Sequence, residues 1–132
     1  NELEIMKNHT RKGRQIFARL MKLTREDSAV YALYICCAEV CMYHHKRYDG
    51  DGYPLGLKGD EIPIAAQIVG VADAYDALIS ERIYKPAYKP VEAFEMIIEG
   101  DCGVFNPRLI DLFSMMRMEL EEVHEEIMRK KG

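Results

Sequence analysis

Two adjacent histidines, His44 and His45, open the stretch HHKRYDGDGYPLG, which then runs into acids, glycines and a Gly-Tyr-Pro turn. Imidazoles are the commonest metal ligands, but neighbours within a helix project about 100° apart and cannot meet at one ion. At a helix end the second ring can swing round, and the loop beginning at Lys46 supplies such an end. Two further candidates are His9, expected on the inward side of the first helix with Met6, Gly13 and Ile16, and Asp73, within IVGVADAYDAL. A carboxylate in so apolar a helix is costly to bury unless it is paired or metal-bound. An ion pair with Arg82 or Lys85 would explain Asp73 as well as a metal would. Imidazoles with a carboxylate suit Fe, Mn, Zn, Ni or Co rather than Ca.

Three rival readings use the same residues. Asp49-Gly50-Asp51-Gly52 starts like an EF-hand loop, but Tyr53 and Pro54 stand where a polar ligand and a glycine are needed. Cys37, Cys41 and His45 share i, i+4, i+8 spacing and could form a zinc site. Structural zinc usually takes closer cysteine pairs from loops, so buried apolar thiols are the simpler reading. His124, set among Glu121, Glu122, Glu125 and Glu126, reads as a solvated residue. Any single histidine is more often a surface or satisfied core residue than a ligand; the pair at a helix end, with His9 and Asp73 in support, shifts the reading towards metal.

The elements that must carry these residues are helices. Apolar residues recur near a helical period from Leu3 to Leu23, and Asp27 or Ser28 caps the next element. Residues 29–43 are apolar nearly all round and predict a central, buried helix. Residues 46–60 hold four of the nine glycines and must be loop. Pro63 suits the first turn of a helix from Ile64 to about Ile79, residues 91–99 form a fourth ending near Gly100, and Asn106-Pro107 starts a fifth running to about Lys130. No stretch alternates as a strand does. The fold class is all-α, an assembly of about five helices.

Composition bounds the function. With 132 residues, of which 48% are apolar, the chain can build one core, and a net charge of −4 argues against a broad nucleic-acid-binding face. Local basic residues at Lys46, Arg47, Arg82, Lys85 and Lys89 could still receive a small anion. No apolar run is long enough for a membrane span, no signal peptide is recognisable, and three of four cysteines cluster on one predicted helix, which fits a reducing cytoplasm. The opening Asn1 and the helical look of the next residues give a chain expected to begin inside a larger protein.

Taken together these stretches resemble the HD-GYP family of cyclic di-GMP phosphodiesterases. The resemblance is carried by EIMKNHT (4–10), HHKRYDGDGYP (44–54), GLKGDEIP (56–63), VADAYDAL (71–78), RIYKPA (82–87) and Phe105-Asn106-Pro107, and covers nearly the whole chain. It implies an HD-type helical domain over 1–132, with His9, His44, His45 and Asp73 as ligands of a site for two or three divalent ions such as Fe or Mn. Arg82 and Lys85 would be the phosphate-binding pair, and the loop with Gly52, Tyr53 and Pro54 one wall of the nucleotide site. The metals would lower the pKa of a water and clamp phosphate oxygens.

The family's His-Asp dyad and its nearby lysine would lie upstream of Asn1, so no catalytic residue is identified here, and this chain is expected to be a partial domain, inactive or impaired alone. The resemblance leaves room for a GGDEF-domain or sensor-domain partner. A homo-oligomer is expected to cover an apolar face near Met6, Ile16, Leu33 and Cys37. The alternative is a non-catalytic signalling or protein-interaction module of the same fold.

Overall fold

A computed structural model describes residues 2–54, 56–81 and 86–131. Six helices account for most of them: α1 (Glu2–Met21), α2 (Ala29–Tyr43), α3 (Ile64–Ile79), α4 (Pro90–Glu99), α5 (Pro107–Met115) and α6 (Arg117–Lys131). Among the described residues there is no strand, and the one β-type pairing is an isolated bridge between Lys46 and Gly52. Also among them, no helix is long and apolar enough to cross a membrane. The fold is all-α, as the periodicity predicts.

The chain divides into two compact units, Asn1–Gly70 and Val71–Gly132. In the first, α1 packs along α2. The ring centroids of Phe17 and Tyr34 lie 6.0 Å apart between them, and Thr10 is buried with its hydroxyl donating to the Lys7 carbonyl at 3.0 Å. Ser28, one of the two expected caps, starts α2: its hydroxyl accepts from the Tyr31 N–H at 3.1 Å, satisfying a donor that the helix itself cannot. The predicted boundaries of α2 and α3 hold to the residue.

The burial expected of α2 does not hold. Of its fifteen residues only Ala38 is buried, and Val30, Leu33 and Ile35 are exposed. Within the first unit α2 is covered along the α1 side, and an all-round apolar helix needs neighbours on more than one side to be buried.

The second unit is held by Val71, Tyr75 and Leu78 from α3, Ala93, Phe94 and Ile97 from α4, Phe105, and Phe113 from α5. Phe94 and Phe113 stack at 4.8 Å, and Tyr75 meets Phe113 edge-on at 5.8 Å. Phe105-Asn106-Pro107 is structural here: Phe105 enters the core, the Asn106 side chain accepts from the Arg108 N–H at 3.0 Å, and Pro107 takes the first helical position. The single fifth helix expected from Asn106 to Lys130 is two. Met116 takes φ −92° and ψ 11°, and its N–H bonds to Phe113 three residues back, a tightened turn that ends α5. Beyond it Leu120 packs on the core and the Arg117 guanidinium lies 5.7 Å from the Phe94 ring centre. Met115-Met116-Arg117 contains no glycine or proline, so nothing in its local chemistry announces the break.

Candidate metal centre

The first unit brings three imidazoles together. His9 comes from the middle of α1, His44 caps the C-terminus of α2, and His45 follows outside the helix. One ring nitrogen from each lies within 4.8 Å of the others. The His44 and His45 rings are 4.0 Å apart, and His9 lies 5.4 Å and 5.1 Å from them. The two histidines converge because the helix ends between them.

The tautomer of His44 follows from its hydrogen bond to the helix. His44 Nδ1 lies 2.8 Å from the carbonyl oxygen of Val40, which can only accept, so Nδ1 carries the hydrogen. In the neutral ring this leaves the Nε2 lone pair free, and Nε2 faces His9 Nε2 at 3.4 Å. Two imidazole nitrogens sharing one ion at bonds of about 2.1 Å sit roughly 3.0–3.4 Å apart. A backbone carbonyl fixing the far nitrogen of a ligand histidine is the usual supporting contact of metal sites. His9, His44 and His45 therefore fit a divalent ion, and among the described residues they are the one such group of three or more candidate ligands. The Cys37–Cys41–His45 alternative is not assembled: His45 turns to the other histidines, and burial, with Cys37 adding to it, pushes the Cys41 thiol up and keeps it protonated.

The backbone under the pair leaves no room for side chains. Gly52 has φ +83°, and a Cβ there would collide with the carbonyl oxygen of His45. A Cβ on Gly70 would lie 2.6 Å from the carbonyl oxygen of His44. Successive carbonyls of the histidine pair are thus each met by a glycine, one from the loop and one from α3.

The loop itself is tied down by its own polar groups. Lys46, which looked available to an anion, is buried, and its Nζ donates to the Gly50 carbonyl at 2.6 Å. Arg47 and Asp51 are joined through the backbone at 2.9 Å, the Asp49 carboxylate accepts from the Asp51 N–H at 3.0 Å, and the Tyr48 hydroxyl donates to Asp60 at 3.0 Å. This brings Tyr53 beside His45, ring centres 4.6 Å apart, next to Pro54.

Of the remaining candidates, Asp73 belongs to the second unit, on α3, where it is exposed; no burial penalty bears on it. Arg82 and Lys85 lie outside the described residues. His124 is half-buried on α6 rather than fully solvated. Sequence reasoning missed the Val40 carbonyl and Gly70. A carbonyl carries no sequence signal, and a glycine in a helix signals only a close approach of unknown partner.

Residues 1–109 match the HD domain family. A probable cyclic di-GMP phosphodiesterase of Vibrio cholerae is 42% identical over 113 residues, covering 86% of this chain and 25% of that protein. A cyclic di-GMP phosphodiesterase of Thermotoga maritima is 40% identical over 123 residues, covering 93% of this chain and 31% of that one. A 3′3′-cGAMP-specific phosphodiesterase of Vibrio cholerae is 33% identical over 115 residues, 84% of this chain and 20% of its own length. The chain thus spans between a fifth and a third of the length of these curated relatives.

Proposed function

The chain belongs to the HD-domain family, and from that footing we propose that its parent protein is a metal-dependent phosphodiesterase opening a 3′,5′ linkage of cyclic di-GMP. The observation that carries this is the convergence of His9, His44 and His45 with the His44 tautomer set by Val40. Relatives at 42% and 40% identity bear the name of that activity. Iron or manganese, as two or three ions in the complete site, suits imidazole with carboxylate ligands.

Bound there, the ion would supply Lewis acidity towards water and the phosphate oxygens. The chain's own residues do the positioning. Three imidazoles would hold the ion, with the Gly52–Pro54 loop as a wall against His45; Asp73 is proposed as a carboxylate ligand on its motif alone. Arg82 and Lys85 are the proposed phosphate-binding pair, their guanidinium and ammonium offsetting charge on the scissile diester. The proposed partners are cyclic di-GMP, a GGDEF or sensor domain, and a second copy of the chain. Ile16 and Leu33, each 58% exposed, lie on the face that a second copy would cover; the side chain of Met6 lies outside the described residues.

The test is turnover by the full-length protein, loaded with Mn²⁺ or Fe²⁺ under reducing conditions, on cyclic di-GMP and on 3′3′-cGAMP in parallel. Cleavage of cyclic di-GMP that disappears with His45→Ala supports the proposal. A metal-loaded protein that binds the dinucleotide and leaves it intact is a signalling module instead.

A further inference from the structure

Next to the histidine cluster, the first unit contains a cleft of about 670 Å³ whose α1 side the proposed site does not use. Glu4, Lys7, Asn8 and Arg11 line it from one stripe of α1, and Tyr53 and Pro54 from the loop. The spacing i, i+3, i+4, i+7 puts those four α1 residues on one face. The volume lies within the roughly 300–1,000 Å³ of small-molecule sites.

The lining has the chemistry of an anion site. Lys7 Nζ sits 5.4 Å from the Tyr53 ring centre, a cation held over an aromatic face. Among the described residues neither Lys7 nor Arg11 forms an ion pair. Two cations against the one carboxylate of Glu4 leave a single net positive charge, which matches one phosphodiester. Tyr53 joins the two places, because it contacts Lys7 and its ring lies 4.6 Å from that of His45.

A cyclic dinucleotide carries two phosphodiesters on one ring, and only one can be cleaved at a time. We propose that Lys7 and Arg11 hold the second, uncleaved phosphate in this cleft, with Tyr53 as the wall shared with the metal centre. The inference rests on the proposed function. It makes Lys7 and Arg11 selectivity determinants for a two-phosphate substrate.

The experiment compares KM and kcat of the full-length, metal-loaded protein on cyclic di-GMP and on bis(p-nitrophenyl) phosphate, which has one phosphate. The variants are Lys7→Gln, Arg11→Gln and Arg11→Lys, all at exposed positions of α1. Each glutamine variant is expected to raise KM for cyclic di-GMP about tenfold, the loss of one partly solvated charge-assisted contact. KM for the single diester should rise far less, and Arg11→Lys should recover part of the loss. An unchanged KM for cyclic di-GMP, or an equal rise for both substrates, overturns the inference and leaves the phosphodiesterase reading standing. If the wild type cleaves the single diester but not cyclic di-GMP, that reading falls and this inference falls with it.

Discussion

Val40 and His44 are bonded twice within one turn: the carbonyl oxygen of Val40 accepts the backbone N–H of His44 at 3.1 Å and its ring Nδ1–H at 2.8 Å. The second bond ties the ring to the last turn of α2, so the orientation of the metal-facing nitrogen is set by the helix. Replacing His44 with glutamine keeps a polar side chain but loses this geometry. Metal affinity of the full-length protein is expected to fall more than the 10–100-fold typical of losing a supporting contact, because a ligand goes as well. Titration with Mn²⁺ followed by elemental analysis reads this directly, and wild-type affinity in the variant would remove His44 from the site.

Gly52→Ala tests the loop support. The alanine must adopt φ +83° and place its Cβ into the His45 carbonyl. Non-glycine residues held in such backbone cost about 1–3 kcal/mol, and the strain falls on His45. Lower thermal stability together with lower metal content is expected. A loss of stability with full metal content would show that the loop moves without carrying His45 along.

Lys46→Met distinguishes a loop tie from an anion site. Burial of Lys46 and its 2.6 Å bond to Gly50 predict a loss of about 1.5–3 kcal/mol, the range for hydrogen bonds to charged groups. Denaturant unfolding would show it. A rise in the KM for the dinucleotide without loss of stability would return Lys46 to the list of ligand-binding residues.

Asp73→Ala, in the full-length protein, separates ligand from ion-pair partner. If Asp73 is a ligand, the variant loses metal and activity while the fold survives. Removing metal also removes the stability that binding confers, so a melting temperature alone does not decide. Metal content per chain does, and equal content in variant and wild type defeats the assignment.

Cys41 gives a pH dependence. Burial, then Cys37, raises its pKa above the ordinary 9.0, so between that value and its folded pKa the folded state keeps a proton that the unfolded state has lost. Its contribution to stability is intact below about pH 9 and is lost as pH climbs through the folded value. Urea unfolding at pH 8 and pH 10 should show a smaller decline for Cys41→Ala than for wild type. Equal declines would assign the alkaline loss to other groups.

The helices were legible because apolar period, caps and prolines act locally: Ser28, Pro63, Gly100 and Asn106-Pro107 mark ends that the structure keeps. The break at Met116 was not, since its own residues are ordinary helix formers and the tightened turn back to Phe113 carries no local signal. At the site, residue types and a recognisable pattern indicated His9, His44 and His45, and the structure brings these three together. Lys46 misled because a lysine in a polar loop looks solvated, whereas its ammonium turns inward to a carbonyl only four residues away.

His9 and His44 are 35 residues apart in sequence. An ion bound to both would act as a removable cross-link of the folded state, its binding free energy adding to the stability of the fold. An exchangeable ion makes that stabilisation conditional on supply. The pairing of α1 with α2 would then loosen under metal starvation and tighten on repletion, giving the domain a rigidity that follows the metal status of its surroundings.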